Sequence, residues 1–264
     1  MRAPLFFLLI ILLSCRKSSS QSETPAGFNK TPAVITLKGG ALNEASGIAD
    51  SKINAGYLWV QQDSGNPPFI YLLKKDGTIA DSVFINGATN RDWEDMAVSG
   101  NDVYIAETGD NNLAYSSYAF YRFAEPAQGT DTVSVFDKIE FTYPDGHHDA
   151  EAFLVDPLTK DIYIITKNDV KSKVFVLSFP QNVSGLNEAV YVTDLEFNGV
   201  VSAALSSDAK EIIIKTYTDL NYLTKTSSQS IASAFSQSPQ KLSYQIEPQG
   251  EAVCFGLDGK GFYT

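Results

Sequence analysis

The chain has 264 residues, with 31 acidic against 20 basic side chains and a formal net charge of −11. That balance argues against nucleic acid as a partner, because neutralising phosphates needs a basic surface, and equally against peripheral adhesion to anionic lipid. Thirteen Tyr and sixteen Phe favour strands, while two Cys and two His leave no cluster suited to structural zinc.

Residues 1–14 read as a signal peptide, in which Arg2 precedes an apolar run over residues 5–13 that is too short to span a bilayer permanently. Leu12, Leu13, Ser14 and Cys15 resemble the bacterial lipobox. The resemblance implies cleavage before Cys15, lipidation of that residue and attachment to a membrane of the bacterial cell envelope. Arg16 in place of Asp favours the outer membrane. The alternative is an ordinary signal peptide with an incidental Cys. Residues 15–32, Ser-rich and containing Pro25, form a flexible tether. Residues 33–264 form one domain, which is expected to continue past Thr264. With Cys15 lipidated, Cys254 has no disulfide partner and reads as a packed small hydrophobe.

Within that domain one pattern recurs about every 50 residues, close to the roughly 40–50-residue period of a propeller blade. A small or acidic residue stands at the start of an apolar strand: Ser46, Glu94, Glu151, Ser202 and Glu251 share the frame. A turn and a second apolar run come after each, as in Val103, Tyr104, Ile105 or Ile162, Tyr163, Ile164, so each pair reads as a hairpin. Two further strands complete most units. The fourth is the least regular, and residues 230–235 are expected to form a short helix. The fold class is therefore all-β, a β-propeller with five recognisable blades. The last is incomplete, and a strand over residues 33–37 is expected to close it and remove exposed sheet edges.

In a blade the innermost strand and its antiparallel neighbour bring the start of one and the end of the other to a single face. Asp92, Glu94, Asp149, Glu151 and Glu251 come from the starts, and Asp63, Glu107 and Asp110 from the ends. Lys167 and Lys215 are the cations in those positions. Carboxylates about 6 Å apart repel by roughly 3 kcal/mol at an effective dielectric of about 20. Three resolutions are open: a bound cation, protonation, or neutralisation by the two lysines. Oxygen-only ligation suits Ca²⁺. Equally, Asp and Glu beside turns cap local backbone N–H groups. His147 and His148 lead directly into the Asp149 strand, so His148 and Glu151 are the candidates for acid–base catalysis.

Gln62-Asp63-Ser64-Gly65, Asp92-Trp93-Glu94-Asp95, Gly109-Asp110-Asn111, the stretch from Tyr143-Pro144-Asp145-Gly146 to Asp149-Ala150-Glu151-Ala152, and Gln249-Gly250-Glu251-Ala252 occur in this order. As a set they resemble a family of secreted bacterial β-propeller proteins of largely uncharacterised function, over about residues 40–264. Asp149-Ala150-Glu151 and Gln249-Gly250-Glu251 are also similar to acidic motifs of β-propeller phytases and phytase-like esterases. There such carboxylates hold Ca²⁺ ions that bind phosphate. This chain has no evident Lys and Arg cluster for further phosphates. No Gly-x-Ser-x-Gly elbow and no phosphate-binding Gly loop opening a helix occur. Two functions are expected on these grounds. One is a lipid-anchored protein that binds a divalent cation and, through it, a small-molecule or surface ligand; the other is a calcium-dependent ester or phosphoester hydrolase.

Overall fold

The computed structural model describes residues 27–28, 31–38, 40, 42 and 44–264. The signal-peptide segment and Cys15 lie outside the described residues, as does most of the tether.

The first sheet is built from β1 (Ala45–Asp50), β2 (Tyr57–Gln62), β3 (Phe69–Lys74) and β4 (Ile79–Ile85), each antiparallel to the one before. The second begins with β5 (Trp93–Ser99), β6 (Asp102–Glu107) and β7 (Tyr118–Ala124). Next, β8 (Thr132–Val133) leaves it to pair in parallel with β4, and β9 (Asp137–Thr142) completes it. The third comprises β10 (Ala150–Val155), β11 (Ile162–Thr166) and β12 (Lys173–Leu177). After them β13 (Asn187–Glu188) adds in parallel to β9, and β14 (Val190–Asp194) forms the outer strand. The fourth has β15 (Val200–Leu205), β16 (Glu211–Thr216) and β17 (Leu220–Thr224), then α1 (Ile231–Ala234) and β18 (Gln240–Leu242). The helix falls where the sequence placed it, with the Ser230 hydroxyl accepting from Ser233 N at its N-cap. Finally β19 (Cys254–Phe255) pairs with β20 (Phe262–Tyr263) alone.

The architecture is all-β and propeller-like, with four blades and not the expected five. The fifth unit contributes only the two-stranded sheet of β19 and β20. Residues 33–37 form no strand and do not complete it. Val34, Ile35 and Leu37 are exposed, and Lys38 makes a single parallel bridge to Thr78, so this segment runs beside the β3–β4 turn. Its place there depends on Gly77, whose φ of 82° suits the turn; a Cβ at Gly77 would lie 2.3 Å from the Thr36 carbonyl oxygen.

Burial tracks strand position. Every residue of β10 and β11 is buried, whereas β14 is largely exposed. Such inner strands are sandwiched between neighbouring sheets and read as continuous apolar runs, while outer ones meet water on one side. Apolar clusters fill the interfaces in turn. Trp59, Trp93 and Tyr121 lie between the first two sheets, and Phe120, Phe141, Phe153 and Phe175 between the second and third. Ile165, Ile212 and Phe235 lie between the third and fourth. The two-stranded sheet and the residues leading into it pack against the fourth sheet through Val253 and Phe255 and against the first through Ala252 and Cys254. Cys254 is buried, free and held as the thiol by burial, as a packing residue should be.

The inner strands share one irregularity. In β1 the register skips Ser46, in β10 it skips Glu151, in β15 it skips Val201, and in β5 Glu94 and Asp95 together face Ala106. Each is a β-bulge, one extra residue that breaks side-chain alternation and re-aims the residues after it. The register corrects the expected frame by one residue in the fourth unit, where Val201 and not Ser202 is equivalent to Glu94 and Glu151. The position after each bulge holds Gly47, Asp95, Ala152 and Ser202. Only Asp95 is large. Its fully buried carboxylate accepts from Ser202 Oγ at 3.2 Å and from Ala203 N at 3.3 Å, across to the fourth blade.

Gly47 packs so closely on the second blade that a Cβ would lie 2.7 Å from Met96 N. Gly47→Ala is expected to lower stability by about 1–3 kcal/mol through overpacking. The check is a lower denaturant midpoint with an unchanged m-value; wild-type stability would show that the strands are not held this tightly.

Candidate functional site

The bulges place Glu94 and Glu151 at the start of the second and third inner strands, beside Asp92 and Asp149, which immediately precede those strands. Asp63 lies just past β2. Ligand oxygens of Asp63, Asp92 and Glu94 lie within 4.8 Å of one another, as do those of Glu94, Asp149 and Glu151. Five of the eight predicted metal ligands therefore come together, in two groups sharing Glu94. The 108–110 segment fastens the two blades beneath them: Thr108 Oγ1 donates to Ala150 O at 2.6 Å, and Asp110 N to Asp149 Oδ1 at 2.8 Å. Gly109 is the floor. A Cβ there would lie 2.0 Å from Glu94 Oε1 and 2.6 Å from Asp92 Oδ2, so any other residue would displace the two carboxylates from these positions.

The other three have different work. Asp110 accepts from Ala114 N at 2.7 Å, Tyr115 N at 3.0 Å and Tyr118 OH at 2.9 Å, so it caps its own loop. Glu107 accepts from Trp93 Nε1 at 3.2 Å and from Thr89 Oγ1. Glu251 accepts from Tyr217 OH at 2.7 Å and borders the cluster through Lys167, whose Nζ lies 3.3 Å from the same hydroxyl. Lys167 pairs with Glu151 Oε1. Lys215, expected on the same face, is instead fully buried and bonded to Glu247 Oε2 at 2.9 Å.

His148 lies between two carboxylates outside the two acid groups. Its Nδ1 meets Asp169 at 3.0 Å and its Nε2 meets Asp145 at 2.9 Å, while Tyr143 and Phe175 pack against the ring. Both nitrogens are engaged with carboxylates and the side chain is buried. His147 is exposed and meets only Tyr115 O. Glu151 alone of the two catalytic candidates belongs to the acidic cluster.

Electrostatics in this cluster are unfavourable to charge. Glu94 is 4% exposed, and its pKa is driven far up by burial first, then by Glu151, Asp63, Asp92 and Asp149. Burial and Asp63 push Asp92 up to about 6, against a hydrogen bond from Ser64. Burial pushes Glu151 up to about 8 although Lys167 pulls the other way. Burial also raises Asp149, despite donors from Asp110 N and Asn168. Glu151 Oε2 is buried without any hydrogen-bond partner. A donor set of carboxylate oxygens, with spacings within the roughly 5 Å spanned by ligands at about 2.4 Å from one ion, fits Ca²⁺.

Sequence reasoning missed Asp95, Asn168 and Tyr217. The signal for Asp95 was an acid directly after Glu94, where the other units carry Gly47, Ala152 and Ser202. Tyr217 and Asn168 had none, since each lies just past a strand end in an unremarkable loop.

No protein-family model matches the chain, and no curated protein does. Among solved structures, the Kuenenia stuttgartiensis hydrazine synthase overlaps with a TM-score of 0.45 at 13% identity, over 83% of this chain and 67% of that one. A nidogen/laminin complex overlaps at 0.47 and 12% identity, over 80% and 68%.

Carboxyls whose folded pKa exceeds the unfolded value hold protons that the unfolded chain releases above about pH 4. In chelator, this contribution to stability is therefore full below about pH 4. It falls as pH rises through about 6 for Asp92 and about 8 for Glu151. Thermal midpoints across that range test it, and a steady rise in midpoint toward about pH 8 would refute it.

Proposed function

We propose that this protein is a binding protein of the bacterial cell envelope, lipid-anchored through Cys15 with the outer membrane favoured. It takes up a divalent cation of the calcium class at its acidic mouth and, through that ion, a small-molecule or surface ligand. The observation that carries this reading is Glu94, a nearly buried carboxylate shared by two groups of three acids. Repulsion between two such charges at 4.8 Å is about 3 kcal/mol at an effective dielectric of about 20. A hard cation converts that repulsion into ligation. Asp63, Asp92, Glu94, Asp149 and Glu151 would hold it. The Gly109 floor and the orphaned Glu151 oxygen both fit a bound ion.

The second reading is calcium-dependent ester or phosphoester hydrolysis. It is favoured by the openness of the mouth, where the half-buried Asp63 and Asp92 stand beside the buried Glu94 and leave room for a substrate to reach a bound ion. The ion would then polarise the ester, and an acidic residue would handle the proton.

Calcium is expected to raise the thermal midpoint of the chelated protein by several degrees, on the order of the linkage stabilisation at about 100-fold over Kd. Glu94→Gln should abolish most of that rise while leaving the circular dichroism spectrum intact. No shift with calcium in the wild type would end the cation reading. Calcium-dependent turnover of a generic phosphoester, lost in Glu151→Ala, would favour the hydrolase over the binding protein.

A further inference from the structure

The inner strands β1, β5, β10 and β15, and the run into β19, all lead away from the acidic mouth, so their later residues meet again at the opposite end. There they surround a cavity whose depth is lined by Ile48, Met96, Phe153, Ala203 and Val253, all of them buried. Beyond the strand ends the lining turns polar and meets water: Ser99 is half-buried, and Lys52 and Ser207 are exposed. The cavity is therefore a funnel, apolar inside and polar at its rim. Its volume of about 210 Å³ exceeds the roughly 150 Å³ of an apolar cavity that accepts benzene.

Two charged side chains, Asp50 and Lys52, line the rim, and they differ in what balances them. Asp50 is buried, and its Oδ2 accepts from Leu257 N at 2.9 Å and lies 3.8 Å from Lys75 Nζ. Lys52 Nζ donates to uncharged acceptors, Gly100 O at 2.6 Å and Asn101 Oδ1 at 3.1 Å. The nearby Glu125 carboxylate is engaged elsewhere: Oε1 accepts from Ser51 Oγ at 2.6 Å, from Lys52 N at 3.0 Å and from Trp59 Nε1 at 2.9 Å. Asp208 and Asp258, which follow the lining residues Ser207 and Leu257, pair with Lys210 at 3.1 Å and Lys260 at 3.7 Å. Among the described residues no carboxylate pairs with the Lys52 ammonium, in a chain whose net charge is −11.

We propose that this funnel binds a small monocarboxylate with a hydrocarbon body, of the medium-chain fatty acid class, with the hydrocarbon in the cavity and the carboxylate against Lys52. Transfer of the hydrocarbon from water to the apolar depth supplies the affinity. Charge complementarity selects the head group, because Lys52 is a point charge on a flexible stem that can exchange neutral acceptors for an ionised one. A cationic amphiphile would meet the same ammonium and be repelled. The volume admits one short chain. This site lies at the other end of the inner strands from the carboxylates proposed for the cation, and neither reading depends on the other.

Calorimetric titration of the purified protein in chelator with butyrate, hexanoate and octanoate, and then with 1-octanol and octylammonium, tests this. Octanoate should bind one per chain, and affinity should rise about fourfold for each methylene from butyrate to octanoate, equivalent to about 0.8 kcal/mol. Lys52→Met, a change at an exposed side chain whose fold circular dichroism confirms, should weaken octanoate by about tenfold or more. It should leave the weaker binding of 1-octanol as it is in the wild type. Absence of octanoate binding, an affinity indifferent to chain length, octylammonium binding as tightly as octanoate, or an unchanged octanoate affinity in the Lys52 variant would each overturn the proposal. None of these results bears on calcium at the acidic mouth, which the chelator keeps empty throughout.

Discussion

One extra residue near the start of each of four inner strands is the constraint on which the rest of the molecule depends. A regular strand sends consecutive side chains to opposite faces. The bulges at Ser46, Glu94, Glu151 and Val201 break that alternation, so acids from different blades converge at one end of the inner strands. In β5 the same device makes two adjacent acids useful. Glu94 enters the mouth, and Asp95 reaches across to the Ser202 hydroxyl and the Ala203 backbone. Ser202 in turn accepts from Val253 N, which extends the network to the segment leading into β19.

Asp95 and the mouth solve opposite problems with the same functional group. Burial raises the pKa of the Asp95 carboxyl strongly, yet donors surround it, from Ala203, Met96, Ser202 and Phe153 in descending effect. It works as a structural tie between blades. Asp63, Asp92 and Glu94 have few donors and face one another. Such an arrangement is held against repulsion only because the surrounding scaffold over-determines it. Here the scaffold is the series of apolar interfaces between sheets, together with Thr108 and Asp110 crossing from the second blade to the third.

The opposite end of the inner strands has another character. A cavity of about 210 Å³ is lined there by Ile48, Met96, Phe153, Ala204 and Val253, with Cys254 in its wall, and none of the site acids reaches it. Asp50, Lys52 and Ser206 also border it, so this end mixes polar and apolar groups while the clustered carboxylates lie at the other.

The sequence by itself determined the fold class, because repeated apolar runs with turns between them can only be buried by stacking sheets, and it located a short helix over residues 230–235. It also picked out the acids of the mouth. Asp92, Glu94, Asp149 and Glu151 stand at matching places in repeated units, and local periodicity is visible in a linear string. Only the tertiary structure decided what each acid meets. Glu107, Asp110 and His148 looked equivalent to the site residues, yet their partners are Trp93, the backbone at Ala114 and Tyr115, and the carboxylates of Asp145 and Asp169. The one-residue register at Val201, the four blades with a two-stranded remainder, and the pairing of Lys38 with Thr78 were equally hidden. Each depends on contacts between residues distant in the chain, which packing selects and local pattern does not encode.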